Sequence, residues 1–180
     1  MHLAWQADYF EISSWINRNI KGEIFGDIGC GNGFIIRDLH KNFGKKVWGV
    51  DGAGVFKDFI DDSIKDMTKK VDLTGRHKLD KADVAICLEV AEHLPFESSS
   101  VLVDNIISTQ AKIILFTAAH PGQYGLNHIN LQPASFWEEK FRERGYKPDI
   151  GLSNKFKEEL KWRLQHTPWY LDNFMVFEKL

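Results

Sequence analysis

The sequence predicts an α/β fold in which helices cover both faces of a single, mainly parallel sheet. Short apolar runs with strand character alternate with segments whose apolar residues recur every three to four positions, as in amphipathic helices. The length of 180 residues suits one domain better than two independent cores. We therefore expect one domain over residues 1–180, with a doubly wound sheet of seven strands that includes an antiparallel edge strand.

The chain begins with the pattern of an amphipathic helix. Gly22 follows this pattern in the position of a C-terminal helix cap, so we expect the helix to end near it. Its apolar face should pack against the core. That face consists of Trp5, Tyr9, Ile12, Ile16 and Ile20, with Trp15 beside them.

A glycine-rich loop follows the first predicted strand and leads into a helix. Gly29, Gly31 and Gly33 permit sharp turns there and let a ligand lie against main-chain N–H groups without an intervening Cβ. Phe34 stands where a dinucleotide-binding motif needs its third glycine, and no Lys-Ser or Lys-Thr pair of a P-loop follows. Asp27 would repel phosphate and suits a ligand that presents an amine or hydroxyl groups. The loop therefore predicts a small-molecule site that does not favour a dinucleotide.

The remaining strands are predicted from short apolar runs, and the remaining helices from apolar residues that recur every three to four positions. We expect Gly44 and Gly145 to end helices, and Ser98–Ser100 and Ser153 to cap the starts of two others. Residues 117–132 form a long polar loop after a central strand, and loops of this length in a compact domain are usually functional or disordered. The predicted strands are 24–28, 46–51, 69–73, 83–88, 111–116, 146–152 and 169–177, and the later helices are 34–43, 56–64, 98–107, 133–145 and 153–164.

Acidic side chains stand at the ends of two of these strands. Asp51 ends the second strand about 20 positions beyond the glycine loop, where an acid can accept hydrogen bonds from both ribose hydroxyls of a nucleoside. Its alternative role is that of a turn residue before Gly52. Glu89, Glu92 and His93 follow the fourth strand, and ligands of open α/β sheets bind beyond the carboxyl ends of the strands.

Several motifs in this order resemble those of the class I S-adenosylmethionine-dependent methyltransferases. Asp27-x-Gly29-x-Gly31-x-Gly33 resembles their first motif, and Glu92-His93-Leu94-Pro95 resembles a later one. The second half of the chain resembles small bacterial and viral methyltransferases that are often associated with glycan genes. The segments that carry this second resemblance are 120–123, 125, 128–130, 132, 136–137, 141, 145–146, 162–163 and 169–173.

The resemblance implies a Rossmann-like form of the predicted fold and S-adenosyl-L-methionine as the cofactor. It also implies that Asp72 faces the adenine amino group while the N–H of Leu73 meets a ring nitrogen, although Asp72 is equally well explained as a solvated turn residue. Trp5 or Tyr9 of the first helix would line the pocket. The cofactor-binding residues expected in this way are Asp27, Gly29, Gly31, Gly33, Asp51, Asp72, Leu73 and Glu89.

Methyl transfer to a hydroxyl group needs a base, because the attacking oxygen must lose its proton. His128 on the long loop is the preferred base, and His120 and His93 are its rivals. Glu92 and His93 have three open roles: orienting the loop, binding substrate, or capping the next helix. Glu89, Glu92 and a histidine also offer metal ligands, but the chain lacks a strong ligand spacing, so we predict no metal site.

The expected reaction is O-methylation of a small-molecule or glycan hydroxyl. The alternatives are methylation of an amine or carboxyl on a metabolite, protein or RNA, and a non-catalytic cofactor-binding module. DNA is disfavoured as an acceptor, because Leu88-Glu89-Val90-Ala91 replaces the Asn/Asp-Pro-Pro-aromatic tetrad of amine-directed enzymes, and because Ile86, not proline, precedes Cys87.

Composition sets further limits on partners and location. The formal net charge is −2, so bulk electrostatics do not call for nucleic acid or an anionic membrane. The N-terminal segment does not have the pattern of a signal peptide, and no apolar run approaches the ~20 residues of a membrane span. Cys30 and Cys87 show no metal-ligand spacing and suit a reducing compartment. We expect a cytoplasmic protein without a membrane partner.

Overall fold

A seven-stranded sheet forms the centre of the protein, whose computed structural model describes residues 3–52 and 60–180. The strand order is β3-β2-β1-β4-β5-β7-β6. Neighbouring strands from β3 to β5 pair in parallel, whereas β7 is antiparallel to both β5 and β6. The antiparallel strand therefore lies one position inside the edge. The strands are β1 Ile24–Ile28, β2 Lys46–Asp51, β3 Thr68–Lys70, β4 Val84–Leu88, β5 Ile113–Thr117, β6 Tyr146–Pro148 and β7 Met175–Lys179.

Helices cover both faces of this sheet, as the predicted fold class requires. On β4, Ala85 and Cys87 belong to one buried cluster, while Val84, Ile86 and Leu88 belong to the other. Successive strand residues point to opposite faces, so this alternation divides the core into two layers. The helices are α1 Leu3–Asn19, α2 Phe34–Phe43, α3 Ser99–Ser108, α4 Ala134–Arg142, α5 Ile150–Leu160 and α6 Trp169–Asn173, with 3₁₀ turns at Lys65–Met67, Ala91–His93 and Phe96–Ser98.

Each layer is built from the helices whose apolar faces the sequence predicts. Leu102 of α3 and Trp137 of α4 lie fully buried in the first cluster. Trp15 of α1 and Phe156 of α5 lie fully buried in the second, where their rings meet edge to face at 5.1 Å. Burying four such large apolar side chains stabilises the packing by several kcal/mol in total, on the order of 2 kcal/mol each.

Helix ends account for three differences from the sequence prediction. α1 ends at Asn19, before Gly22, and a Cβ on Gly22 would lie 2.8 Å from Val84 Cγ2, so this glycine permits close packing rather than capping. Asp149, not Ser153, caps α5, because its carboxylate accepts the N–H of Leu152. Ser98 occupies the N-cap of α3 but makes no side-chain capping hydrogen bond.

Three predicted strands are wrong in extent: the third, the sixth and the last. The sixth, predicted over 146–152, ends at Pro148, and α5 begins at Ile150, before the predicted helix start at Ser153. The third ends at Lys70, and residues beyond it form a turn. The segment 169–177 divides into the short helix α6 and the start of β7, because its apolar residues suit either element and only packing decides between them. In the predicted helix 56–64, residues 56–59 lie outside the described residues, and Ile60–Ile64 form a bend and turn. Gly44 ends α2 with a left-handed φ of 67°, as predicted.

Across the two described ranges, no helix combines the length and apolar character needed to cross a bilayer.

Candidate active site

The loop between β1 and α2 owes its shape to three glycines with left-handed backbones. The φ angles of Gly29, Gly31 and Gly33 are 82°, 52° and 72°, a region that residues with a Cβ enter only at a cost. A Cβ on Gly29 would lie 2.2 Å from Val90, and one on Gly33 would lie 2.4 Å from Ile64. A Cβ on Gly31 would meet nothing within 4 Å. Two of the glycines therefore serve packing, while Gly31 leaves open space at the loop surface.

Two aspartates flank this loop. Asp51, at the end of β2, accepts a hydrogen bond of 2.8 Å from the backbone N–H of Gly31 through Oδ2. Asp27, near the end of β1, is buried, and no described residue donates a hydrogen bond to its carboxylate. Burial, with the nearby Asp51 charge adding to it, raises the pKa of Asp27 to about 8. The site thus holds a carboxylate whose charged form lacks a hydrogen-bond donor among the residues that the structure describes.

Asp72 and Leu73 lie at the rim of the same region, beyond β3. Asp72 is exposed, and its Oδ1 accepts hydrogen bonds from the backbone N–H and the hydroxyl of Thr74, at 3.0 and 2.7 Å. These bonds lower the pKa of Asp72. The carboxylate therefore has the contacts of a turn residue, one of the two roles that the sequence left open. Leu73 is buried beneath it.

Three adjoining clefts open along the carboxyl edge of the sheet. One, of about 280 Å³, includes Asp27 and the glycine loop, and another, of about 440 Å³, includes Asp51, Asp72 and Leu73. The third, of about 630 Å³ and here called the acceptor cleft, lies between the long loop and α6. Glu89 lines all three. The acceptor cleft is lined by Trp5, Tyr9, Glu89, His93, Gln123, Tyr124, Gly125, His128, Pro168, Trp169, Tyr170 and Asp172.

Glu89 stands at the junction in a conformation that favours glycine. Its φ is 56°, and its backbone N–H donates to Thr117 Oγ1 at 2.8 Å. Its Oε1 accepts a hydrogen bond of 3.2 Å from Asn173 Nδ2. Burial, and then the charge of Glu92, raise the pKa of Glu89 to about 7. A residue with a strained backbone and an acidic side chain whose pKa lies well above its usual value is typical of functional sites.

Glu92 connects this junction to the long loop. Its side chain is fully buried, with Oε1 accepting the N–H of Ala119 at 3.2 Å. Its backbone oxygen accepts the N–H groups of Ile129 and Asn130 at 2.9 and 3.1 Å. Asn130 is buried as well, and its amide donates to Ala91 O at 3.2 Å. The loop that follows β5 is therefore held against the turn that follows β4.

This anchoring brings two of the three candidate histidines together. The rings of His93 and His128 lie 5.0 Å apart at 79°, and both line the acceptor cleft. Desolvation lowers the pKa of His93. His120 is exposed, with Nδ1 2.9 Å from the oxygen of Pro121, and it lines none of the three clefts. The structure thus brings His93 and His128 to the site but not His120.

The structure also assembles a group that local spacing does not reveal. One nitrogen from each of His93 and His128 and a carboxylate oxygen of Glu92 all lie within 4.8 Å of one another. Glu92 and His93 are adjacent in sequence, but His128 comes from a different loop. The sequence predicts no metal site, because residue spacing alone does not pair these two loops.

Some residues that belong to no recognisable sequence motif also shape the clefts. Thr117 and Asn173 orient Glu89, as described above. Tyr170 of α6 is buried and packs against Tyr9 of α1 with ring centroids 6.3 Å apart. Trp5 and Trp169 meet edge to face at 5.8 Å. Trp5 and Tyr9, which the family resemblance placed at the pocket, both line the acceptor cleft, and Tyr9 also lines the cleft of the glycine loop.

Solved structures share this fold at low sequence identity. Magnesium protoporphyrin IX methyltransferase (ChlM) from Synechocystis PCC 6803, with bound SAH, is 19% identical with a TM-score of 0.64, and the match covers 82% of this chain and 76% of that chain. The sugar N-methyltransferase KedS8 from Streptoalloteichus sp ATCC 53650 is 12% identical with a TM-score of 0.66, and the match covers 99% of this chain and 88% of that chain. The [4+2]-cyclase SpnF is 10% identical with a TM-score of 0.65, and the match covers 96% of this chain and 80% of that chain.

The fold is therefore that of the class I methyltransferases, and it is shared by at least one cyclase. No family model matches the chain, and no curated protein matches its sequence.

Proposed function

We propose that this protein transfers the methyl group of S-adenosylmethionine to a hydroxyl group of a sugar or another small molecule. The observation that carries the proposal is the junction at Glu89, where a cleft suited to the cofactor meets a cleft that contains two imidazoles. The relation to ChlM, whose structure contains SAH, supports the cofactor. Fold alone does not fix the reaction, so the residues of the site carry the rest of the proposal.

The cofactor cleft fits the chemical groups of S-adenosylmethionine. Asp27 offers a buried carboxylate without a donor in the described chain, which suits the ammonium of the methionine part. Gly31 leaves a space that a Cβ would enter, so a ligand can approach the main chain there. Asp51 suits the ribose hydroxyls, since its Oδ2 is already oriented by Gly31. Leu73 supplies apolar surface for the adenine.

Residues of the acceptor cleft would orient the hydroxyl and take up its proton. The cofactor supplies an electrophilic methyl group, so an oxygen–carbon bond forms while the carbon–sulfur bond breaks and sulfur keeps the electron pair. Nδ1 of His128 lies 3.0 Å from the oxygen of Gln123, which can only accept, so Nδ1 carries a hydrogen and Nε2 has the free lone pair. Nε2 of His128 is the preferred base, and His93 stands next to it.

One observation favours an amine as the second candidate acceptor. Glu89 and the buried Glu92 give the junction two acidic groups, which would attract a protonated amine. KedS8, which shares the fold, is a sugar N-methyltransferase. Amino sugars therefore belong in the same acceptor panel as neutral sugars.

The test combines cofactor binding with methyl transfer. Calorimetric titration should detect S-adenosylmethionine binding and much weaker NAD binding. Labelled S-adenosylmethionine should then transfer methyl to a member of a panel of sugars, sugar nucleotides, glycans and amino sugars. His128→Ala should greatly reduce the transfer, whereas His120→Ala, a histidine outside the clefts, should leave it unchanged. Cofactor binding without transfer to any acceptor would support a non-catalytic module, and absence of cofactor binding would overturn the proposal.

A further inference from the structure

We propose that Glu92, His93 and His128 bind one divalent transition-metal ion at the wall of the acceptor cleft. The binding itself needs neither cofactor nor acceptor, whereas its role in catalysis rests on the proposed function. The geometry that carries the inference is the grouping of one atom from each residue within 4.8 Å. Ligand atoms about 2.1 Å from a tetrahedral ion lie about 3.4 Å from one another, so side-chain rotations that close the present separation by somewhat more than 1 Å complete the site.

The hydrogen bonds of both histidines prepare them to bind an ion. His93 Nδ1 lies 3.2 Å from the backbone oxygen of Asn127, and His128 Nδ1 lies 3.0 Å from that of Gln123. Each carbonyl oxygen can only accept, so Nδ1 of each ring is the donor and Nε2 keeps its lone pair. Histidine ligands usually donate their other ring N–H to a carbonyl or carboxylate in this way, which fixes the ring orientation.

Glu92 supplies the independent observation that something is missing from this cluster. Its side chain is fully buried, and no N–H group among the described residues donates to Oε2. The nearest polar neighbour of this carboxyl outside its backbone contacts is the Glu89 carboxyl, which can share a hydrogen bond with it only when one of the two acids is protonated. A buried carboxylate oxygen without a donor is costly, because the charged group has lost its water without compensation. A cation bound by Glu92 and the two imidazoles removes that cost. The cluster is therefore not merely a set of acidic surface groups.

The surrounding charges favour a cation at this position. Glu89 interacts electrostatically with both Glu92 and His93, and it lines the same cleft. Two neighbouring carboxylates repel each other, and a divalent ion next to them reduces this repulsion. Within the described ranges, neither Glu89 nor Glu92 forms an ion pair with a lysine or an arginine.

The ligand set indicates which ions fit. Two imidazole nitrogens and a carboxylate oxygen suit Mn²⁺, Fe²⁺, Co²⁺ or Zn²⁺, whereas Mg²⁺ and Ca²⁺ prefer sites made of oxygen. Three protein ligands leave coordination positions open toward the cleft. A hydroxyl group of the acceptor bound there would lose its proton to water more readily, because the ion lowers its pKa. The ion would then replace a free imidazole as the means of activating the hydroxyl.

Metal binding can be measured without any turnover. Chelator-treated protein should bind one Co²⁺ per chain and develop the visible absorption bands of nitrogen-ligated cobalt. His93→Ala and His128→Ala should each raise the Kd by at least about tenfold, as loss of a ligand does. His120→Ala is the matched control and should bind Co²⁺ as the wild type does. Circular dichroism should show that all three variants are folded.

Two further variants test the charge of Glu92 and the position of the His128 ring. Glu92→Gln retains the side-chain shape but removes the charge, and it should weaken Co²⁺ binding at least about tenfold. Gly125→Ala places a Cβ 2.4 Å from His128 Nε2, so it should displace the ring and weaken binding without deleting a ligand. Saturating Co²⁺ should also raise the Tm of the wild type and of His120→Ala but not that of His93→Ala with His128→Ala.

The outcomes separate this inference from the proposed function. Absence of Co²⁺ binding by the wild type, or equal binding by the double histidine variant, would overturn the metal site. Methyl transfer that persists after chelation but fails in His128→Ala would overturn the catalytic role of the ion, and would retain His128 as the base. Histidine-dependent ion binding without methyl transfer to any acceptor would keep the metal site and count against the methyltransferase proposal.

Discussion

The carboxylate of Asp51 and the backbone N–H of Gly31 are joined by a hydrogen bond of 2.8 Å. This bond links the end of β2 to the turn after β1, although 20 positions separate the two residues in the sequence. It fixes one oxygen of the carboxylate at the surface where the two cofactor-side clefts meet. Asp51 therefore both shapes the glycine loop and lines a cleft beside it.

Replacing Asp51 should weaken cofactor binding more than it weakens the fold. Asp51→Ala removes charge-assisted hydrogen bonds worth roughly 1.5–3 kcal/mol, so we expect S-adenosylmethionine to bind about 10- to 100-fold more weakly. Calorimetric titration measures the effect. Asp62→Asn is the control, because the Asp62 side chain is 96% exposed and lies outside the clefts. Equal affinities for the Asp51 variant and wild type would contradict the assignment of Asp51.

Gly31 and Gly44 form a matched pair that separates backbone strain from ligand contact. Both have positive φ, at 52° and 67°, and a Cβ on either would meet no atom within 4 Å. Gly31→Ala and Gly44→Ala should each lower the free energy of unfolding by about 1 kcal/mol. Only Gly31→Ala should also reduce cofactor affinity, since Gly44 caps α2 away from the clefts.

Urea unfolding measures the first quantity for the two variants, and calorimetry measures the second. Gly29→Ala should destabilise the fold further, because its Cβ would lie 2.2 Å from Val90. Similar cofactor affinity in the Gly31 and Gly44 variants would show that Gly31 does not contact the ligand.

The raised pKa of Asp27 makes the ligand-free protein less stable as the pH increases. The native carboxyl, with a pKa of about 8, holds its proton more tightly than the unfolded chain with its ordinary value of 3.8. Its stabilising contribution is therefore fully present below the lower value and is lost as the pH rises through about 8. Asp27→Asn should remove this part of the pH dependence, on the order of a few kcal/mol.

Urea titrations at pH 5 and pH 8 on both proteins provide the measurement. Glu89, with a pKa of about 7, adds to the slope in the same direction, and the lowered pKa of His93 opposes it. Both groups titrate in wild type and variant alike, so the difference between the two curves isolates Asp27. Parallel curves would contradict the raised pKa.

Loss of the Asn130 side chain should loosen the long loop and impair transfer. Its amide donates to Ala91 O and Ser99 Oγ at 3.2 and 3.0 Å, and it is buried. Asn130→Ala should cost about 1–3 kcal/mol of stability, because buried acceptors lose their donor. The kcat of methyl transfer should fall while the cofactor Kd stays constant, since His128 moves and the glycine loop does not. Asn154→Ala, on the exposed side of α5, is the control.

The parts of the site that depend on local chain geometry were accessible from sequence. Gly29, Gly31 and Gly33 predict the loop, because backbone conformation at a tight turn leaves few other residue types. Asp27 and Asp51 are tied to strand ends, and the ends of parallel strands share one edge of the sheet. The two-layer core likewise follows from alternating strand residues.

The parts that sequence did not predict depend on contacts between distant segments. The backbone oxygen of Glu92 accepts hydrogen bonds from the N–H groups of Ile129 and Asn130, and no pattern of side chains in the sequence predicts such backbone hydrogen bonds. The grouping of His93 with His128 follows from those bonds. The division of 169–177 into α6 and β7 is similar, because Tyr170 packs on Tyr9 of α1, while Val176 pairs in register with Leu115 of β5.

The left-handed backbone of Glu89 has a consequence for anyone who engineers this protein. Glycine at this position would relieve conformational strain worth roughly 1–2 kcal/mol, so a stability-guided redesign would select it. The same replacement would delete the acid that borders all three clefts. Thermal stability and activity therefore favour different residues at position 89, and a screen that selects for heat resistance alone will replace the natural glutamate.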